Sequence, residues 1–349
     1  MTQRVLYSNQ VDATLNSLIG GGNYNHCVAL VDENTRHHVL PMLKCLDNTP
    51  IIEIPAGDDN KSLNTLTHVW QELEHCGATR HSVMVNVGGG VVTDLGGLAA
   101  ATFKRGIDFI NVPTTLLGAV DAAVGGKTGI NFNGLKNEIG AFAPASAVII
   151  STCFFPTLPS EQIKSGFAEM LKHAMLNSRE EFQQLLNFHF DSIDLEHLLE
   201  HLKASVKIKE NIVAQDPTEQ GLRKALNLGH TVGHALESFA LESGKPVPHG
   251  YAVAWGLVAE AVLSHMSQGF PTQDLYDLAG FVKDNYGAPA ITCDHYDRLI
   301  TLMRHDKKSI AGEINCTLLK QCGSFTIDNS IDEETLKSAL DILRDLMGV

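Results

Sequence analysis

The sequence predicts an α/β chain in two parts, a first domain built on a mostly parallel sheet and a mainly α-helical C-terminal domain. Three observations carry that expectation. The 349 residues exceed what a single core usually serves. The first 150 residues or so alternate short β-rich runs with helical patterns, the mark of parallel strands joined by crossover helices. Beyond Pro159, long helical periodicities take over, and Gly and Pro thin out apart from the loop Ser243-Gly244-Lys245-Pro246-Val247-Pro248. The boundary falls near residues 151–160, which gives domains of 1–155 and 156–349.

Taken in order, residues 28–31 read as a buried strand ending at Asp32, and residues 51–54 as a second strand. Residues 62–75 form a helix with Leu63, Leu66, Val69, Trp70 and Leu73 on one face. Residues 82–87 are a strand that runs into Gly88-Gly89-Gly90, residues 109–112 a strand that stops at Pro113, and residues 147–150 close the region. Helical patterns then cover residues 160–176, 195–214, 224–242 and 253–267. Residues 314–319 read as a short strand, and Ser330-Ile331-Asp332-Glu333 as a capping box for the last helix. There are no internal repeats.

Composition narrows the function. With 44% hydrophobic and 19% charged residues the chain has the balance of a folded soluble protein. No apolar run reaches the ~20 residues of a membrane span, and Met1-Thr2-Gln3-Arg4-Val5-Leu6 lacks the features of a signal peptide. The seven cysteines are scattered without a C-x-x-C pair, so neither a disulfide framework nor a thiolate zinc site is indicated, and a reducing cytoplasm fits. A net charge of −14 argues against nucleic acid as partner. An anionic small molecule would need Lys and Arg gathered locally.

Three segments carry chemistry. Gly88-Gly89-Gly90-Val91-Val92-Thr93-Asp94 leaves a strand and enters a helix, where glycines let backbone N–H groups approach a pyrophosphate; a tight turn is the plain alternative. Asp32, at a strand end, suits a ribose hydroxyl, although acidic residues are common at strand ends for no such reason. His230 and His234, four apart on a helix, share a face opposite the apolar stripe Leu228, Val232, Leu236 and Phe239, a spacing that suits metal ligands or simply a polar face. His249 offers a third imidazole and Glu169 a carboxylate, but His173 lies four beyond Glu169, so spacing leaves the ligand set open. Gly125-Gly126-Lys127-Thr128 resembles the end of a P-loop, yet Asp121 stands where its first glycine belongs. Arg105, Lys136-Asn137, Lys172, Lys209, Arg223 and Asp306-Lys307-Lys308 complete the basic set, each a surface charge when read alone.

Read together, the segments resemble the 3-dehydroquinate synthase family of sugar-phosphate cyclases. The matching pieces are Gly88-Gly89-Gly90 with Asp94, Pro113-Thr114-Thr115-Leu116-Leu117, residues 121–128, Lys136-Asn137, residues 166–172, residues 227–237, His249-Gly250 and Asp306-Lys307-Lys308, eight in the family's order. The resemblance implies a Rossmann-like NAD-binding first domain, a metal- and substrate-binding helical second domain, and an active site in the cleft between. It implies a zinc or cobalt ion on Glu169, His230 and His249, with His234 a substrate contact and proton carrier instead of a ligand. NAD would lie on Gly89, Gly90 and Val91, near Asp32, Asp58, Lys61, Asp94, Thr114, Thr115, Asp121, Lys127, Lys136, Phe154 and Thr157. Substrate carboxylate, hydroxyls and phosphate would meet Lys127, Asn137, Lys172, Lys209, Arg223, Asn227, Lys307 and Lys308. Glu219 matches a proton acceptor, and Arg105 an arginine extended into a neighbouring subunit's site, hence a homodimer.

The implied reaction converts 3-deoxy-D-arabino-heptulosonate 7-phosphate to 3-dehydroquinate and phosphate, in the shikimate route to aromatic amino acids. It runs by transient NAD oxidation, phosphate elimination, re-reduction and intramolecular aldol closure. Asp58 stands where the family carries glutamate, Leu135 replaces a glycine, Ser151 an aspartate and Tyr251 a glutamate; none removes an expected metal ligand. The rivals are a cyclase acting on another sugar phosphate, a metal-dependent polyol dehydrogenase of the glycerol dehydrogenase type, and a non-catalytic nucleotide binder. The basic cluster disfavours a neutral polyol, which would leave those charges uncompensated.

Overall fold

The computed structural model describes residues 3–133, 135–305 and 314–349. The chain forms two compact units, Met1–Pro159 with Asp194–Val206, and Ser160–Ile193 with Lys207–Val349. The first unit is therefore not one continuous stretch, because the segment 194–206 returns to it.

Six strands of the first unit form one sheet in the order β1-β8-β5-β4-β2-β3, every pairing parallel. They are β1 (Arg4–Tyr7), β2 (His26–Asp32), β3 (Ile51–Ile54), β4 (Ser82–Gly88), β5 (Asp108–Pro113) and β8 (Ala147–Ile150). The helices α1 (Val11–Gly21), α2 (Glu33–His38), α3 (Leu63–His75) and α4 (Gly90–Thr102) connect them. A strand covered on both faces needs a continuous apolar run, and all seven residues of β4 are buried. In register, Val85 lies beside Ala29 on one side and Ile110 on the other. The polar exceptions are paired: Asn86 Nδ2 donates to Asn111 Oδ1 across β4 and β5 at 2.9 Å. Because every strand runs the same way, Asp32, Gly88 and Pro113 all end at one edge. An antiparallel hairpin, β6 (Lys127–Phe132) with β7 (Leu135–Phe142), adds a second sheet that periodicity did not reveal.

Glycines let α4 press on the sheet. A Cβ at Gly96 would lie 2.2 Å from Asn86 Oδ1 and 2.8 Å from Leu30 Cδ2, and one at Gly97 would lie 2.5 Å from Thr128 Cγ2.

The second unit is mostly helical: α5 (Ser160–Asn177), α6 (Arg179–Leu186), the later part of α7 (Leu195–Gln215), α8 (His230–Glu242), α9 (His249–Gln268), α10 (Thr272–Tyr286), α11 (Tyr296–His305) and α12 (Glu333–Met347). A hairpin of β9 (Ile314–Gln321) and β10 (Ser324–Ile331) completes it. Helix α9 is its axis. It is buried from Ala252 to Ser264, as a helix surrounded on all sides must be, and packs on α5, α8, α10, α12 and β9. It approaches α8 closely: a Cβ at Gly256 would sit 1.9 Å from the Gly229 carbonyl oxygen, and one at Gly233 would sit 2.9 Å from that of Ala252.

Two expectations need correction. The pattern over residues 224–242 is not one helix: a 3₁₀ turn, Leu222–Asn227, comes first, and α8 begins only at His230, after Gly229 at φ +78°. The last helix is capped by Asp332, whose carboxylate accepts the Thr335 N–H at 2.9 Å; Ser330 belongs to β10 and pairs with Asn315.

Gly96→Ala is expected to destabilise the chain by about 1–3 kcal/mol, because the methyl must displace Asn86 or Leu30 in a packed layer. A lowered urea midpoint with an unchanged circular dichroism spectrum is the readout; an unchanged midpoint would mean that α4 can lift off the sheet.

Candidate metal and nucleotide sites

In the second unit the expected metal ligands converge. Glu169, on α5, has no exposed surface. His230 Nε2 lies 3.2 Å and His249 Nε2 3.5 Å from its Oε1, while the Lys172 ammonium pairs with its Oε2. No hydrogen bond of good geometry reaches either oxygen among the described residues. Both rings are set by their other nitrogen. His230 Nδ1 donates to the Leu228 carbonyl at 3.1 Å, and His249 Nδ1 faces Glu237 Oε2 at 3.2 Å. A carbonyl and a carboxylate accept, so each Nδ1 carries a proton, and Nε2, facing Glu169, is the nitrogen that a metal would take in place of a proton. A buried carboxylate without a well-formed hydrogen bond, faced by two oriented imidazoles, has the donor set and the open side that a divalent cation needs.

His234 joins the group. Its ring centre lies 5.2 Å from that of His230 and 5.7 Å from that of His249, and the ligand atoms of the three imidazoles lie within 4.8 Å of one another. One turn of α8 thus brings His230 and His234 together, and the start of α9 adds His249.

Charge runs through the cluster. Burial works against ionising Glu169, but Lys172 and His230 outweigh it and hold the carboxyl well below its ordinary range. Burial likewise works against a charged His249, but Glu237 and Glu169 overcome it and raise the imidazole to about 10.

The remaining expected residues of this unit are built in by the backbone. Lys172 and Arg223 are 1% exposed and Lys209 is 5% exposed. Arg223 Nη1 donates to the Pro217 carbonyl at 2.7 Å, and Asp216 Oδ2 accepts the N–H groups of Gly221 and Arg223 at 2.7 and 3.0 Å. Glu219, at φ +60°, accepts from Asn227 Nδ2 at 3.2 Å. Lys307 and Lys308 lie outside the described residues.

In the first unit the glycine triplet joins strand to helix as expected: Gly88 ends β4, Gly89 is the N-cap of α4 and Gly90 begins it, with Val91 in its first turn. A Cβ at Gly89 would come within 3.0 Å of Thr115 Cγ2. Thr114 is buried and its N–H donates to the Gly88 carbonyl at 3.0 Å, while Thr115 Oγ1 accepts the Gly118 N–H of the turn that holds Asp121. Buried Lys61 reaches Asp94 Oδ2 at 2.5 Å and also donates to Asn137 Oδ1. Asp58 pairs with Lys136 at 3.3 Å. Asp32 caps α2, accepting the Thr35 N–H at 2.8 Å. Phe154 is buried and Thr157 caps its carbonyl at 3.1 Å. Lys127 is exposed at the start of β6.

Arg105 stands apart from these residues. It follows α4, at the opposite end of that helix from the glycine triplet and near the start of β5, at φ +69° and exposed.

Two organising residues escaped sequence reasoning. Asn131 accepts the Asn137 N–H at 3.0 Å, donates through Nδ2 to the Asp58 carbonyl at 3.1 Å, and gives its own N–H to the Lys61 carbonyl at 2.8 Å, so it ties three expected residues together. Glu237 orients His249; its spacing of seven from His230 and three from His234, one helix face, was the available signal.

The fold is that of the sugar-phosphate cyclases. A 2-deoxy-scyllo-inosose synthase complexed with carbaglucose-6-phosphate, NAD+ and Co2+ superposes with a TM-score of 0.84 at 22% identity, over 98% of this chain and 96% of that one. A 2-epi-5-epi-valiolone synthase from Streptomyces hygroscopicus with NAD+ and Zn2+ gives 0.84 at 24% identity, over 99% and 97%. Within that fold the sequence is more particular. The profile of the 3-dehydroquinate synthase N-terminal region matches residues 51–165, and that of its C-terminal region residues 166–309. A 3-dehydroquinate synthase from Parabacteroides distasonis is 44% identical over 350 residues, 99% of each chain. The chain belongs to the 3-dehydroquinate synthase family.

With His249 as a ligand, Zn²⁺ uptake would displace the proton that Glu237 and Glu169 hold on its ring. The affinity is therefore expected to rise about tenfold per pH unit between pH 6 and 8, with a proton released. Competition against a chromogenic chelator reads this out, and a pH-independent affinity would show His249 to be neutral already.

Proposed function

We infer that this chain catalyses the reaction for which its family is named, converting 3-deoxy-D-arabino-heptulosonate 7-phosphate to 3-dehydroquinate and phosphate on the shikimate route to aromatic amino acids. The observation that carries the reading is the convergence of His230 and His249 Nε2 on the buried carboxylate of Glu169. On this reading Glu169, His230 and His249 hold a zinc or cobalt ion, and Gly89, Gly90, Val91, Asp94, Thr114 and Thr115 hold NAD, with Asp32, Asp58, Lys61, Asp121, Lys127, Lys136, Phe154 and Thr157 about it. When bound, the metal would supply Lewis acidity toward a substrate hydroxyl and NAD a reversible hydride acceptor, with no net consumption of cofactor.

The chain's own groups do the rest. Lys172, Lys209 and Arg223, with Asn227, present cations and an amide to an anionic substrate, and charge-assisted bonds of this kind fix its carboxylate and phosphate. Lys127 and Asn137 in the first unit and Lys307 and Lys308 take the remaining contacts. His234, half-buried beside the two ligand imidazoles, carries a proton to or from the substrate. Glu219, held by Asn227, accepts another. Positioning both ends of one molecule gives the aldol closure its effective molarity, so few acid–base groups are needed.

The reading includes a homodimer in which Arg105 serves the partner's site, since its own unit places it at the far end of α4 from the glycine triplet. No described helix is long and apolar enough to cross a membrane, which agrees with a cytoplasmic enzyme.

With the heptulosonate phosphate and catalytic NAD, the purified chain is expected to release phosphate without net NADH. A chelator should stop the reaction, and Glu169→Gln should cut kcat/KM by at least about 100-fold. Absence of phosphate release with metal and NAD present would reject this substrate; net NADH from glycerol would point to a polyol dehydrogenase instead.

A further inference from the structure

Helix α8 opens on two histidines yet has no N-cap side chain. Its N-cap is Gly229, at φ +78°, and a Cβ there would lie 2.7 Å from Leu257 Cδ2, so conformation and packing both demand glycine. The first N–H groups of a helix need acceptors, and here they are buried away from water. The acceptor comes from α9. Glu260 is wholly buried; its Oε2 takes the Gly229 N–H at 2.7 Å and its Oε1 those of Thr231 and Val232 at 3.0 and 3.3 Å.

The spacing on α9 makes this a device that joins two helices. His249, Gly256 and Glu260 are seven and eleven residues apart, close to two and three turns, so they share one face. His249 turns its Nε2 to Glu169, Gly256 allows the backbones to meet, and Glu260 grips the residues on either side of His230. His230 is the first residue of α8, so the backbone direction at that cap sets where its ring points. Its Nδ1 bond to the Leu228 carbonyl lies in the same turn.

We propose that Glu260 is a positioning residue for the metal cluster: by capping α8 from α9 it fixes His230 relative to His249 and Glu169. This rests on the reading that those three residues bind the metal. Glu260 is not among the expected metal ligands or substrate contacts; its role in the proposal runs through the backbone of residues 229–232, which it holds.

Glu260→Gln keeps the size of the side chain but replaces one acceptor oxygen with an NH₂ donor facing N–H groups. Glu260→Asp keeps the charge on a shorter reach. Ser264→Ala, one turn further along α9, serves as control, since it removes the buried acceptor of the Leu319 N–H at 2.9 Å and a bond to the Glu260 backbone carbonyl at 2.6 Å but leaves the Glu260 carboxylate and its bonds to α8 in place. Each full-length variant is titrated with Zn²⁺ against a chelator and with Co²⁺ by its visible spectrum, and amide exchange is measured without metal.

In Glu260→Gln the amides of Gly229, Thr231 and Val232 should exchange faster, the Zn²⁺ dissociation constant should rise about 10- to 100-fold, and the Co²⁺ spectrum should shift. Glu260→Asp should fall between it and the parent, and decides the matter by the same criteria if the Gln variant does not fold. Ser264→Ala should bind both metals as the parent does. Faster exchange with parental Zn²⁺ affinity and Co²⁺ spectrum would overturn the proposal, reducing Glu260 to a structural cap. An equal loss of affinity in Ser264→Ala would overturn it too, since metal binding would then track general stability. A parent chain that takes up no Zn²⁺ would overturn the metal reading itself, a result distinct from either.

Discussion

A carboxylate with no exposed surface must be matched by N–H donors or by positive charge, and Glu169, which no well-formed hydrogen bond reaches among the described residues, sets the second condition for its unit. Lys172 answers it from the same helix, one turn on. His230 and His249 answer it from two others, which is feasible only because α8 and α9 meet backbone to backbone at Gly233 and Gly256. A Cβ at either glycine would meet the backbone of the other helix. The glycines, the buried lysine and the orientation of both rings follow from the need to keep one negative charge in a dry place. A divalent cation meets the same need, so the arrangement that makes the folded chain tolerable also makes it receptive to metal.

The first unit solves a different problem with parallel strands. Carboxyl ends of β2, β4 and β5 share one edge, so Asp32, the glycine triplet and the turn after Pro113 are neighbours by topology. Close packing of α4 through Gly96 and Gly97 places its N-terminal N–H groups at that edge. Lys61, Asp94, Asn137 and Asn131 then form a polar knot between this helix and the β6–β7 hairpin.

What could be read from the sequence follows a physical line. Buried strands such as residues 82–88 show themselves because both faces must be apolar, and the long helices because their stripes repeat. The break before α8 stayed hidden because its cause, Glu260, lies about thirty residues further along the chain. Ser330 satisfies a local capping pattern but is claimed by a strand ladder, so tertiary pairing overrode a local signal. The β6–β7 hairpin is largely exposed along β7 and lacks the alternation that betrays a half-buried strand. For the site, the sequence offered the histidines and Glu169 but spacing could not choose between ligand sets; resemblance made that choice, and only the folded chain showed Asn131 and Glu237 holding the expected residues in place.

The edge strand β1 pairs with β8, Arg4 beside Ala147, across about 140 residues of chain. A ribosome adding roughly 5–20 residues per second leaves that strand without its partner for about seven to thirty seconds. During synthesis the sheet must therefore assemble from β2 through β5 first and accept its earliest-made strand last. The strand of the sheet made first is thus the one that finishes it, and in the interval it is an unpaired β-rich segment open to other nascent chains.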